Sequence, residues 1–284
     1  MPSKTITTQA LAFAPVSGTK PAFAEFLGRS FGDVNRYRGA ILTFIANNLS
    51  KRYRRSTLGF LWSFLSPFMT MAVMAAVFAL VFRAELKHFG LFIFSGSLPW
   101  MYMSDAAIEG SQCFLAGESY LKKLFIPKLF FPFVSVGTDT MNFVFSLTSL
   151  LLLTLALGVE LKWTVCLLPG VIAITYLFNL GMALLFGVAT VYLRDLTHIT
   201  RVMFQSLFYL CPILYPLSMI PARYQPFFSL NPFYHFIKLF RLVVYEGQCP
   251  TSGDWITACM LSVSTLLLGL YVLMRKEREI IFRL

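Results

Sequence analysis

The sequence predicts an all-α integral membrane protein: six transmembrane helices, an N-terminal amphipathic interface helix, and re-entrant helices before the last span. Three observations predict it. The 284 residues are 57% hydrophobic and 16% aromatic but only 13% charged, with a mean hydropathy of +0.69, well outside the composition of a water-soluble domain. Six stretches, 58–82, 89–112, 129–157, 164–192, 199–217 and 255–274, hold the roughly 20 mostly apolar residues a helix needs to cross hydrocarbon. The basic residues gather between these stretches, thirteen Lys and Arg on the flanks assigned inside against six outside, which puts both termini in the cytoplasm. The net charge of +11 therefore reads as membrane flanking, not as a nucleic-acid-binding face.

In chain order, residues 1–28 are rich in Ser, Thr, Ala and Pro, and their apolar patch ALAFAPV is too short for a signal-peptide core. A disordered cytoplasmic tail is expected. Within 29–56, Val34, Ile41, Phe44, Ile45 and Leu49 fall near helical spacing while Asp33, Arg36, Arg38, Asn47 and Asn48 take other faces. This pattern suits a helix lying in the cytoplasmic interface or docked on a soluble partner, and the two are compatible. Lys51, Arg52, Arg54 and Arg55 form a basic clamp before the first span. The clamp is either a topology signal alone or also a contact with the anionic inner leaflet. The membrane domain, 57–274, opens with Gly59, which lets the first span begin or bend beside another backbone, and Pro67, which kinks it. Before the last span, 226–245 contains two prolines, Asn231, His235, Lys238 and Arg241, poor material for a lipid-facing helix. The surrounding 218–254 is too apolar for an ordinary external loop, so short helices buried against protein are expected there. Residues 275–284 form the cytoplasmic C-terminus.

Catalytic signatures are missing from the sequence. It has no GxxxxGK[ST] phosphate loop, no GxSxG elbow and no carboxylate pair beside a histidine. The five cysteines form no CxxC pair and the three histidines are scattered at 88, 198 and 235, so neither disulfide nor metal site is inferred. Acids are sparse within the spans: Asp105 and Glu109 share a helical face near the inner end of the second, and Asp139 lies inside the third.

Four ordered segments do match a family. RYRRSTLGFLWSFLSPFM resembles the start of the first span in type-2 ATP-binding-cassette permeases that export lipid-linked polysaccharides (O-antigen, capsule, teichoic acid), through Arg52, Tyr53, Thr57, Leu58, Gly59, Trp62, Leu65 and Pro67. YLKKLFIPKLFFP resembles the family's segment between the second and third spans, with Lys123, Pro127 and Lys128 matching. YLRDLTHI resembles its RDL segment, and CPILYPLSMIP with LNPFYHFIKLFR resembles the segments before the last span. The likeness covers roughly 30–275. It implies a half-transporter in the bacterial cytoplasmic membrane: a homodimer forms the channel, and two separate cytoplasmic ATP-binding-cassette subunits, carrying ATP and Mg, drive it. This chain would bind no cofactor and perform no catalysis; its partners would be those subunits, membrane lipids and the lipid-linked glycan.

Phe60, Phe64, Phe68, Met71, Ala75 and Phe78 recur every three or four residues in the first span, beside Trp62, and Phe204, Phe208, Cys211 and Tyr215 do so in the fifth. Sugar rings pack their C–H faces on aromatic rings, so these stripes suit a substrate channel along which a glycan slides; equally, they suit lipid or neighbouring helices. Because the family places 218–254 beside the outer exit, Phe227, Phe228, Phe233 and Tyr234 become candidates for an outer gate. The cytoplasmic residues Lys122, Lys123, Pro127, Lys128, Arg194 and Asp195 become candidates for coupling to the ATPase. Two alternatives are a type-2 permease for a drug, lipid or peptide, and a membrane-embedded glycosyl- or acyltransferase. The second needs intramembrane His or acid clusters, which are sparse here; an ATPase gene adjacent among glycan-synthesis genes separates all three.

Overall fold

The computed structural model describes residues 23–53, 61, 62, 65, 68–70, 72, 73, 76, 77, 80, 86–124, 126–156 and 158–284. Among these, helices are α1 (Phe23–Arg36), α2 (Arg38–Tyr53), α3 (Leu86–Ser111), α4 (Cys113–Ala116), α5 (Glu118–Lys123) and α6 (Phe130–Ala156). Then come α7 (Leu168–Tyr192), α8 (Leu196–Tyr209), α9 (Gln225–Ser229), α10 (Pro232–Arg241) and α11 (Ser252–Arg283). No strand occurs among the described residues. Among the described residues three helices are long and apolar enough to cross a membrane: Phe130–Ala156, Trp163–Tyr192 and Ser252–Arg283.

Several boundaries differ from expectation, each for a local reason. The helix within the expected tail begins at Phe23, because Phe26 finds a buried place against the bundle. The expected interface helix is two helices separated at Tyr37, with backbone bonds Tyr37 N to Asp33 O and Ile41 N to Tyr37 O, both 2.9 Å, carried across the irregular residue. Its apolar side, Ile41 and Ile45, is buried within this same chain, the tip of Ile45 lying over Gly137 of α6. The fifth span was expected over 199–217, yet α8 stops at Tyr209 after 14 residues, about 21 Å and short of the roughly 30 Å hydrocarbon core. Pro212 and Pro216 follow, and a helix interior tolerates neither. The last helix runs on past the expected 274 to Arg283, for 32 residues.

The core lies in two layers along the bundle. One, near α10, gathers Ile93, Phe94 and Trp100 of α3 with Phe143 of α6, Phe178 of α7 and Phe236 and Phe240 of α10. The other, near α5, gathers Phe114, Phe130, Leu184, Val188, Leu273 and Ile280 with Ile41 and Ile45. Helix α7 passes through both layers, and small residues let its neighbours approach to backbone contact. A Cβ on Gly181 would stand 2.5 Å from the carbonyl carbon of Thr265 in α11, and one on Gly269 would stand 2.8 Å from Gly181 O. Toward α3, a Cβ on Gly110 would stand 2.5 Å from the Ala183 Cβ. Where side chains vanish, dispersion between backbones holds helices together in lipid.

Candidate functional site

At the α10 end, the chain leaves α8 as an irregular segment whose residues Cys211, Pro212, Ile213 and Leu214 are all buried. Buried carbonyls outside a helix need donors. Arg241, on α10, supplies them: it donates to Pro212 O at 2.9 Å and to Ile213 O at 3.1 Å, while its guanidinium carbon lies 3.9 Å from the centre of the Phe92 ring. Gly96 of α3 makes room for it, since a Cβ there would meet the guanidinium at 2.5 Å. Asn231 caps α10 by accepting from Phe233 N and donates to Cys211 Sγ at 3.0 Å. Thr251 and Asp254 form a reciprocal capping box at the start of α11, and Lys238 of α10 pairs with Asp254 at 2.7 Å.

Below this clasp the aromatic candidates separate into two sets. Phe204 and Phe233 are 1% and 5% exposed and touch each other at 5.3 Å between ring centres, with Trp100 and Phe178 closing the box at 5.5–6.0 Å. The first expected in the channel and the second at the gate, they are neighbours in the core of a single chain, because one face of α8 turns inward onto α3 and α10. Phe208 is half-buried beside Trp100. Tyr215 lies beyond the end of α8, where helical spacing no longer applies, and donates its hydroxyl to Tyr209 O at 3.0 Å. Phe227 stands out, 67% exposed, Phe228 is half-buried, and Tyr234 lies beside His235. Of the expected first span, Trp62 is exposed and Phe68 approaches Phe94 of α3 at 6.3 Å; Phe60, Phe64 and Met71 lie outside the described residues.

A cavity of about 1110 Å³ opens between α2, α3, α5, α6 and α8. Asp105 and Glu109 line it from α3, Gln112 from the junction of α3 and α4, Lys51 and Asn48 from α2, Ser135 and Thr138 from α6, and Arg201 from α8, with Phe44, Tyr120, Phe130 and Phe131 supplying aromatic walls. Carboxylates, amides and hydroxyls among aromatic faces are the partners a polyhydroxylated chain needs. Lys51 thus brings one end of the basic clamp to the cavity; the side chains of Arg52, Arg54 and Arg55 lie outside the described residues. Asp139 is buried within α6, one turn before Asn142, whose side-chain amide reaches no hydrogen-bond partner among the described residues.

At the α5 end, the charged candidates share one surface. Lys122 donates to Glu118 at 2.6 Å, and that bond, with a further pull from the Arg194 charge, holds the Glu118 carboxyl below the usual range. Arg194 and Asp195, exposed at the start of α8, thereby sit near α5. Lys128 reaches Glu277 of α11 at 3.4 Å, Pro127 is half-buried beside it, and Lys123 is exposed. Tyr192 donates to Glu279 while Arg283 lies 4.3 Å over its ring. The end of α11 is therefore fastened to both expected coupling segments. The sequence marked Asn231 and Arg241 only as poor material for a lipid-facing helix, without their partners, and missed the glycines of α7 and α11.

Residues 39–245 match the family model described as ABC-2 type transporter. The chain is 32% identical to the O-antigen export system permease protein RfbA of Myxococcus xanthus, over 81% of this chain and 90% of that one. Its likeness to the protein of the same name from Klebsiella pneumoniae is 26%, over 73% and 81% of the two chains. The polysialic acid transport protein KpsM of Escherichia coli is 20% identical, over 81% and 90%.

Proposed function

Since the chain belongs to the ABC-2 type transporter family, we propose that it is the permease subunit of an ATP-driven exporter that moves a lipid-linked polysaccharide across the bacterial cytoplasmic membrane. The match to an O-antigen export permease over 90% of that protein's length carries this reading. The cavity agrees with it: acids, amides and hydroxyls alternate with rings there, a lining for sugars rather than for a purely apolar substrate.

In this reading two copies form the channel, each contributing six membrane segments, the fifth being α8 continued by the buried chain at 211–214, with both termini in the cytoplasm, and two separate ATPase subunits dock at the α5 end. Lys122, Lys123, Pro127, Lys128, Arg194 and Asp195 meet those subunits. Lys51, Arg52, Arg54 and Arg55 hold the mouth of the path at the inner leaflet. The track itself runs past Trp62, Phe68 and Phe208, together with Phe60, Phe64 and Met71, toward Tyr215, Phe227, Phe228 and Tyr234 at the exit. Phe204 and Phe233 support that track from the core. Movement at the coupling surface reaches α11 through Lys128–Glu277 and Tyr192–Glu279, and α11 carries it to the clasp through Asp254 and Lys238. The test is deletion of the gene in its own host and complementation, with surface glycan measured. Loss of surface glycan with lipid-linked polymer accumulating inside supports export; unchanged surface glycan sinks it.

A further inference from the structure

At the α5 end, a second cavity of about 520 Å³ lies between α1, the α5–α6 connection and the last turns of α11. Its floor is apolar: Phe26, Leu121, Leu129 and Leu273 are 6%, 5%, 5% and 1% exposed. Its rim is basic, with Arg29, Arg36, Lys122, Lys123 and Lys128 set against Asp33 and Glu277 alone. Lys122 and Lys128 are already paired, with Glu118 and Glu277. Arg29, Arg36 and Lys123 have no carboxylate within 4.0 Å among the described residues. Three cations with no ion-pair partner among the described residues, over an apolar floor, call for an anion that is also an amphiphile. The position fits as well, because the lining follows α11 from Leu273, at the end of its apolar run, to Ile281, about 12 Å further along the axis. That interval is where a headgroup meets hydrocarbon.

We propose that this cavity binds the phosphate headgroup of an anionic phospholipid. The guanidinium forks of Arg29 and Arg36 and the ammonium of Lys123 take the phosphate oxygens, and the glycerol and first methylenes cover Phe26, Leu129 and Leu273. A free phosphate has the same oxygens but leaves that floor wet, so the lipid is the better occupant. The site shares no lining residue with the proposed glycan cavity, and Lys123 stands where it borders the proposed ATPase surface.

The test uses the purified full-length chain, with phosphatidylglycerol titrated in native mass spectrometry. A single tightly retained lipid is expected, and phosphatidylcholine with the same tails should be retained far less. Arg29→Gln with Arg36→Gln and Lys123→Gln should weaken retention roughly tenfold or more, each cation contributing near the surface. Asp33→Asn should strengthen it, and Arg223→Gln, at the other end of the chain, should change nothing. Retention at wild-type strength in the triple variant overturns the proposal. Displacement of the lipid by inorganic phosphate at equal concentration overturns the choice of lipid, and a cross-linked ATPase segment filling the cavity in place of lipid overturns the site. If circular dichroism shows the triple variant unfolded, Asp33→Asn decides: no gain in retention refutes the assignment.

Discussion

Replacing Arg241 by Met keeps a long, flexible side chain but deletes both bonds to the 212–213 carbonyls and the contact with Phe92. Hydrogen bonds from a charged group contribute about 1.5–3 kcal/mol each, and a desolvated cation over a ring adds about 1–2 kcal/mol. Against this stands the cost of holding a guanidinium away from water, several kcal/mol, which Met no longer bears. A net loss of about 3 kcal/mol follows, concentrated in the irregular segment, which corresponds to a roughly hundredfold rise in its open population. Cys211 reports on that population directly, being 1% exposed and bonded by Asn231. With the other four cysteines changed to Ser, maleimide labelling of Cys211 in membranes should accelerate strongly in Arg241→Met and by an intermediate amount in Arg241→Lys, whose single ammonium cannot fork between two carbonyls. Gly96→Ala, which crowds the guanidinium, should show a milder form of the same effect. If Cys211 in Arg241→Met labels as slowly as in the parent at equal protein abundance, the clasp does not hold the segment and the reasoning fails.

Other outcomes follow from the same geometry. Charge reversal at Lys122, Lys123 and Asp195 together should separate ATP hydrolysis from export while leaving the chain in the membrane; unchanged surface glycan would place the ATPase elsewhere. Phe204→Leu should lower membrane abundance by loosening the box at Trp100 and Phe233, about 1 kcal/mol, with export falling only in proportion to protein. By contrast, Phe60→Leu, Phe64→Leu and Phe68→Leu combined should depress surface glycan at normal abundance, and wild-type glycan levels would remove the first span from the track. A cysteine at Phe282, 89% exposed, should label only from the cytoplasmic side; labelling in intact cells by an impermeant reagent would invert the orientation.

Much of the helical layout was legible in the sequence. Long apolar runs such as 129–157 and 164–192 became α6 and the helix ending at Tyr192 within a few residues, because a single periodicity and a single length criterion govern them. The fifth span was misjudged since apolar content does not register a change from helix to irregular chain: Cys211, Ile213 and Leu214 are as buried as helical residues would be. Of the aromatic stripe expected on the fifth span only Phe204 and Phe208 lie on α8, and periodicity names a face without saying what the face meets. Phe204 meets Trp100 and Phe233, a pairing between residues about a hundred and about thirty positions away that no local pattern encodes. The motifs brought Lys122, Lys128, Arg194 and Asp195 to notice, and the structure gathers them at one end of the bundle; the attachment of that end to α11 through Glu277 and Glu279 lay in charges that look like ordinary membrane flanks.

The junction of Gly181 with Thr265 and Gly269 bears on how such a permease diversifies. A seam between side chains can be revised one substitution at a time, a larger residue on one helix answered by a smaller one opposite. A seam between two backbones offers no such exchange: any added carbon at Gly181 strikes Thr265 main-chain atoms, which no substitution can trim. Adaptation to a new cargo must therefore happen elsewhere in this chain, around the open cavity and the first span, while the pairing of α7 with α11 is inherited whole.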